Sequence, residues 1–255
     1  MTAPIVQENQ PAGVPPLELT GERTLPDVPV ENYWYQRHLV VYRWIAEQLA
    51  GKRIVDMACG EGYGSNLLAS GGAASVTGVD ANPEAHEHAR LRYVRPNLKF
   101  ARELVETYEE PCDAIVFLQT VEHVQEPEKL LERFASVLSP GGALYVSTPN
   151  VLTLAPKGAE RSDNPWHVYE YKPHEFEALC RKVTPNVEMF GLWHARKLRA
   201  HELAIRHAGW DTVHKRLRFT KPFYDRFIPA IDDRDFAMRQ GDLSTSLDLI
   251  AVLRP

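Results

Sequence analysis

The sequence predicts an α/β fold, a parallel sheet covered by helices on both faces. Two observations predict it. Short apolar runs of strand length alternate with helix-like segments along residues 53–253. The runs are apolar nearly throughout, as strands buried on both faces are. Residues 1–18 are polar and carry Pro4, Pro11, Pro15 and Pro16, which reads as a disordered tail. Residues 32–50 read as a helix with Val41, Ile45 and Leu49 on one stripe. The first strand is RIVDM at 53–57. VTGVD (76–80), LKFA (98–101) and DAIVFL (113–118) follow. Pro83 opens an intervening helix. In PEKLLERFASVL (127–138), Leu130, Phe134 and Leu138 stand at i, i+4 and i+8, the spacing of a helix face; PGG at 140–142 is expected to end it. ALYVST (143–148) is a strand, HEFEALCRKV (174–183) a helix, VEMFGLW (187–193) a strand and LDLIAVL (247–253) the last strand.

One sheet therefore draws on residues 53–253, so 19–255 is expected to be a single domain. It carries an N-terminal helical lid at 19–50 and a helical insert at 194–245. The insert is far longer than an ordinary connection. It holds Arg196, Lys197, Arg199, Arg206, Lys215, Arg216, Arg218, Lys221 and Arg226. That charge reads either as a solvated helical face or as a lid or subunit interface, which makes the insert a candidate homodimer surface.

Composition narrows the function classes. The 255 residues are 44% hydrophobic, enough for a sizeable core. Lys and Arg number 29 against 34 Asp and Glu, a net −5, which disfavours a nucleic-acid partner. No run of 18 apolar residues suggests a membrane span. The first residues lack the basic-then-apolar pattern of a secretory signal, and Cys59, Cys112 and Cys180 are sparse and widely spaced. Both point to a reducing, cytoplasmic setting without disulfides.

Residues 55–64 read V-D-M-A-C-G-E-G-Y-G, a strand running into a glycine-rich turn. Glycines there allow a tight turn and a close approach of backbone to ligand. Asp80 ends the next strand, where an acid can accept hydrogen bonds from ribose hydroxyls. Loop plus acid imply a nucleoside-containing cofactor. The spacing is G-x-G-x-G rather than the dinucleotide G-x-G-x-x-G, and Asp56 and Glu61 flank the loop. Carboxylates would repel a pyrophosphate and suit a ligand bearing an amino group and a sulfonium. That favours S-adenosylmethionine over NAD.

VDMACGEGYGS, GVDAN, FLQTVEHV and LSPGGALYVSTPN, in this order, resemble the class I S-adenosylmethionine-dependent methyltransferases. The resemblance spans about residues 20–193. It implies a doubly wound, Rossmann-like sheet of seven strands with the last antiparallel, and a cofactor across the carboxyl ends of the strands. It assigns Asp56, Gly60 and Gly62, with Ala58 in the same turn, to the methionine moiety. Asp80, beside Ala81, goes to the ribose and Gln119 next to the cofactor. Arg102 or Glu103 stands where the family often contacts adenine. Tyr33 is a further candidate cofactor contact from the lid.

Methylation of a hydroxyl calls for a base at the carboxyl edge of the sheet. His123, after the fourth strand, and His167, in N-P-W-H-V-Y-E-Y after the fifth, meet that condition. Histidine suits the task because its ordinary pKa is near neutrality. For His123 an architectural role competes. For His167, expected here as general base, the competing role is to hold its loop. Glu170 can orient His167. Trp34, Trp166 and Tyr169 are candidate acceptor contacts, Trp166 by stacking on a sugar ring. Tyr33, Trp34 and Tyr35 form either a packed helix or a lid over the reacting groups. His86, His88 and His174 are expected on exposed helix faces.

T-G-E-R-T-L-P-D (20–27), E-N-Y-W-Y-Q-R-H (31–38), N-P-W-H-x-x-E-Y and S-L-D-L-I-A (246–251) further resemble actinobacterial sugar O-methyltransferases such as those of methylmannose polysaccharide synthesis. That implies a sugar or oligosaccharide hydroxyl as acceptor. Some such enzymes use Mg²⁺. Glu122, Glu170, Asp232 and Asp233 are available, but no spacing marks a metal site. Two other readings stand beside this one: methylation of another small molecule, and a non-catalytic cofactor-binding module. Base N-methylation is disfavoured, because S-T-P-N takes the place of its Asn/Asp-Pro-Pro-Tyr/Phe tetrapeptide.

Overall fold

A computed structural model of the chain describes residues 5–21, 23–156, 158–208 and 221–255. Its centre is one sheet with strands β1 (Arg53–Met57), β2 (Ser75–Val79), β3 (Leu98–Ala101), β4 (Cys112–Leu118), β5 (Leu138–Pro149), β6 (Val187–His194), β7 (Phe236–Arg239) and β8 (Asp248–Leu253). The spatial order is β3-β2-β1-β4-β5-β8-β6-β7. β1 pairs in parallel with both β2 and β4, and β4 with β5. β8 is antiparallel to β5 and to β6, as expected for the last strand.

The sheet has eight strands rather than seven. The additional strand is β7, Phe236–Arg239, antiparallel to β6 at the sheet edge. It falls inside the stretch expected to be wholly helical. Its short F-A-M-R run has little strand signal of its own, and pairing with β6 decides it. The helical parts of that stretch are α7 (Arg196–Ala208) and α8 (Lys221–Phe227). Lys215, Arg216 and Arg218 lie outside the described residues. The P-G-G turn does not separate helix from strand either: β5 begins at Leu138 and runs through it, with a register irregularity against Cys112 and Ala114.

The remaining helices are α1 (Asn32–Ala46), α2 (Tyr63–Ser70), α3 (Pro83–Arg92), α4 (Pro127–Ser136), the single turn α5 (Val151–Leu154) and α6 (Pro173–Val183). Two apolar layers sandwich the sheet. Val41, Tyr42 and Ile45 of α1 and Leu68 of α2 cover one face with Ile54, Val116 and Ile250. Leu131 and Phe134 of α4 and Phe176 of α6 cover the other with Val55, Phe117 and Leu249. α1 is thus a core helix as well as a cover. Buried Arg37 fastens it to β8: Nε donates to Asp248 Oδ2 at 2.7 Å, and Nη2 donates to Asp248 Oδ1 and to the Leu247 carbonyl. No helix among the described residues is long and apolar enough to cross a membrane.

The expected disorder of residues 1–18 does not hold for residues 5–18. Residues 1–4 lie outside the described part. Val6 bridges to Glu18 in antiparallel fashion, and Val14, Leu17 and Gln7 are buried. The prolines fit because the segment packs through a few side chains rather than a ladder. Gln7 Nε2 donates to Glu61 at 3.1 Å, and the Pro15 carbonyl accepts from His88 Nδ1 at 2.6 Å.

Candidate active site

The strand order reverses between β1 and β4, and a crevice opens at the carboxyl ends of strands there, as in open α/β sheets generally. A cavity of about 480 Å³ lies at this point, within the range of ligand pockets, about 300–1,000 Å³. Ala58, Cys59, Gly60 and Glu61 after β1 line it, with Asp80 after β2 and Gln119, Thr120, Glu122 and His123 after β4. Gly21, Arg23 and Thr24 of the N-terminal segment, Trp34 and His38 of α1, and Asn164 and His167 complete it.

The glycine loop is built by close packing. Gly62 has φ +96°, and a Cβ on it would meet Ala89 Cβ at 2.8 Å. A Cβ on Gly64 would enter the Tyr42 ring at 2.1 Å. These two glycines therefore let α2 settle against α3 and α1 rather than admit a ligand. Gly60 is the one facing open space, with nothing nearer than Arg23 Cβ at 4.0 Å. Its amide donates to Asp80 Oδ2 at 2.8 Å, and the Asn82 amide donates to Oδ1 at 2.9 Å. Ala58 and Gln119 hold the left-handed conformation at φ +55° and +51°. Such strain costs non-glycine residues about 1–2 kcal/mol and concentrates at functional sites. Here the two line the cavity from neighbouring strands.

Asp56 departs from its assigned role. It is fully buried and does not line the cavity; Tyr42 Oη donates to Oδ1 at 3.0 Å and Ser65 Oγ to Oδ2 at 2.6 Å. Burial pushes its carboxyl up to about 7, against the pull of those two hydroxyls. It supports the loop from beneath. Glu61 is spent as well. His88 Nε2 donates to it at 2.9 Å, Tyr93 Oη at 2.7 Å, and Arg92 pairs with it at 3.0 Å. Hence His88, expected on an exposed face, is buried. Glu61's charge is met within the protein although it lines the cavity, and Asp80 is the other loop-side carboxylate on that wall.

Several other expected contacts stand elsewhere. Tyr33 packs among Trp34, His194 and Phe236, its hydroxyl 2.8 Å from His194 Nε2, and does not line the cavity. Arg102 and Ala81 are exposed and Glu103 half-buried, all off its wall. Trp166 and Tyr169 are about half exposed and do not line it either. Tyr169 meets Tyr171 edge to face, ring centres 4.7 Å apart. Asp232 caps a turn and pairs with Arg234, while Asp233 pairs with Arg43. Trp34 does line the cavity, with the Arg37 guanidinium 4.9 Å from its ring centre. Sequence reading overlooked His38. Its Nδ1 lies 2.9 Å from the Tyr63 hydroxyl, and burial lowers its pKa to about 4. It closes the E-N-Y-W-Y-Q-R-H segment, but nothing there marks its side chain as cavity-facing.

On the opposite wall, His123 and His167 meet edge to face, ring centres 5.0 Å apart. Backbone bonds hold their loops together: the amides of Val168 and Tyr169 both donate to the Glu122 carbonyl, at 2.8 and 3.1 Å. His167 Nδ1 is 2.6 Å from Glu170 Oε1. A carboxylate can only accept, so Nδ1 carries the proton. Asn164 Oδ1 accepts from the Trp166 amide at 3.0 Å, which turns the Asn164 NH₂ toward His167 Nε2, also at 3.0 Å. Nε2 is therefore the unprotonated nitrogen. Burial would raise the Glu170 carboxyl, but the Ser162 hydroxyl and amide and His167 hold it below its usual range. His123 Nδ1 donates to the Trp166 carbonyl at 2.8 Å. Glu122 is buried; burial pushes its carboxyl up to about 8, and its Oε2 has no hydrogen-bond partner.

A methyltransferase domain model matches residues 33–216. The chain belongs to the methyltransferase family. It is 35% identical over 252 residues to a probable S-adenosylmethionine-dependent methyltransferase of Mycobacterium tuberculosis, covering 94% of this chain and 90% of that one. A ubiquinone biosynthesis O-methyltransferase of Xylella fastidiosa is 36% identical over 156 residues, 55% of this chain and 63% of the relative. The fold matches an S-adenosylmethionine-dependent methyltransferase structure from Mesorhizobium loti with a TM-score of 0.55 at 17% identity, covering 86% and 98% of the two chains. The cofactor is S-adenosylmethionine, and the site fits it. Gly60 leaves an unobstructed approach, and the Asp80 carboxylate, braced by two amides, lines the cavity as a hydrogen-bond acceptor.

Proposed function

We propose that this methyltransferase acts on a hydroxyl oxygen, and that the hydroxyl belongs to a sugar or oligosaccharide. The observation that carries the oxygen assignment is the His167–Glu170 pair. It presents an unprotonated imidazole nitrogen at the cavity, opposite the Asp80 side. When bound, the cofactor supplies a methyl group on a positively charged sulfur. Replacing O–H by O–CH₃ releases one proton, and an alcohol does not give it up unaided at neutral pH. His167 is the acceptor of that proton. Glu170 fixes the tautomer and steadies the positive charge the ring acquires, and Trp34 with its Arg37 neighbour offers a flat wall to a sugar ring. The Xylella relative, an O-methyltransferase by name, supports oxygen as the acceptor atom. The sugar assignment is supported by the T-G-E-R-T-L-P-D, N-P-W-H-x-x-E-Y and S-L-D-L-I-A segments.

The test incubates the protein with methyl-labelled cofactor and a panel of mannosides, glucosides and phenols, followed by mass analysis. Label in a sugar methyl ether is the expected result; label confined to phenols overturns the sugar assignment. His167→Ala is expected to lower kcat by about 10²–10⁴-fold with cofactor affinity unchanged. Unaltered kcat in that variant would place proton removal elsewhere.

A further inference from the structure

Glu122, His123 and His167 each offer one metal-ligating atom, and these atoms all lie within 4.8 Å of one another. We propose that they form a binding site for a first-row transition-metal dication, within the wall that faces the acceptor. The inference rests on the reading of this wall as the one that activates the acceptor hydroxyl.

Three features beyond proximity support it. First, both imidazoles are held as metal-bound histidines are. Each Nδ1 donates outward, that of His123 to the Trp166 carbonyl and that of His167 to Glu170, and the Asn164 NH₂ facing His167 Nε2 marks that nitrogen as the unprotonated one. A carboxylate or carbonyl behind the ring is the usual outer partner of a ligating histidine. Secondly, buried Glu122 lines the cavity with no close hydrogen bond at Oε2 and only the Thr148 hydroxyl as side-chain support. A buried polar atom without a partner is costly, and a cation would satisfy it. Thirdly, the backbone bonds from Val168 and Tyr169 to the Glu122 carbonyl hold the segments bearing the three ligands together without the ion.

The donor set selects the metal. Two imidazoles and one carboxylate suit Mn²⁺, Fe²⁺, Co²⁺ or Zn²⁺, whereas Mg²⁺ prefers oxygen ligands and water. Ligands about 2.0–2.2 Å from a common ion stand roughly 3–3.5 Å apart. The three groups therefore close in slightly on binding, and the Asn164 amide leaves His167 Nε2. A dication there draws charge from an oxygen bound to it. With an ion bound, His167 Nε2 would ligate it and the eased proton would pass to solvent water; without one, His167 Nε2 accepts the proton itself, because one nitrogen cannot ligate a metal and accept a proton together.

The test uses the full chain stripped with chelator. Co²⁺ is titrated by visible absorption, and Mn²⁺ and Zn²⁺ by calorimetry. One ion per chain is expected. Glu122→Gln and His167→Ala should each weaken binding by more than about 100-fold, and Glu170→Gln by roughly 10-fold, as outer-partner changes do. Cofactor affinity of each variant shows that it is folded. No binding by the wild type, or binding that Glu122→Gln leaves unchanged, overturns the site. Full sugar methylation in excess chelator, lost in His167→Ala, would refute a metal role in the reaction and leave the sugar reading standing. Ligand-dependent metal binding with no sugar product would do the reverse.

Discussion

The two walls of the cavity are built in opposite ways. The Asp80 wall comes from turns close in sequence, residues 58–62 and 80–82, braced by backbone amides on a carboxylate and by glycines packed against neighbouring helices. The histidine wall joins Glu122 and His123 to His167 and Glu170, more than 40 residues further on, through side-chain bonds and two backbone bonds between loops. The first wall is fixed by local backbone geometry. The second hangs on a long loop, which can change while the sheet stays constant.

The largest effect expected on the first wall concerns its support. Asp56 is fully buried, with its pKa raised from the ordinary carboxylate value to about 7. Because the folded state holds the proton more tightly, its stabilising contribution is complete below about pH 4. It is lost as pH rises through about 7, at most about 4 kcal/mol in all. Thermal melts of the wild type should fall across that window, and Asp56→Asn should flatten the dependence. A wild-type profile that is flat or rises there would show that Asp56 is ionised in the fold.

A smaller effect separates the walls. Asp80→Ala removes a charged hydrogen-bond acceptor from the cofactor side, worth about 1.5–3 kcal/mol. Cofactor affinity measured by calorimetry should drop roughly 10- to 150-fold, while metal affinity on the other wall stays unchanged. Coupled losses would mean that the walls form one cooperative unit.

The smallest effect is Ala58→Gly. At φ +55° the alanine is strained, and glycine should stabilise the fold by up to about 1 kcal/mol, read from denaturant midpoints. No gain would mean that the unfolded chain's added freedom offsets the relief.

Most of the sheet and the Asp80 wall of the cavity could be read from residue order alone. Strand-length apolar runs, a glycine turn and an acid at the end of the next strand are local patterns, and the backbone has few ways to satisfy them. That is why Arg53–Met57 and Leu98–Ala101 form as expected and Asp80 stands on the cavity wall. Other features were decided by contacts between distant segments. β7 exists because β6 offers an edge to pair with. Residues 5–18 are ordered because Gln7 and Pro15 meet Glu61 and His88. Tyr33 is turned from the cavity by Phe236 and His194, and Asp56 is drawn under the loop by Tyr42 and Ser65. His38, and the junction of Glu122 with His123 and His167, carry no spacing in the sequence. Local patterning sets which segments become strands and where a shared ligand lies. Which buried charges find partners, and which histidines meet, is set when the chain closes on itself.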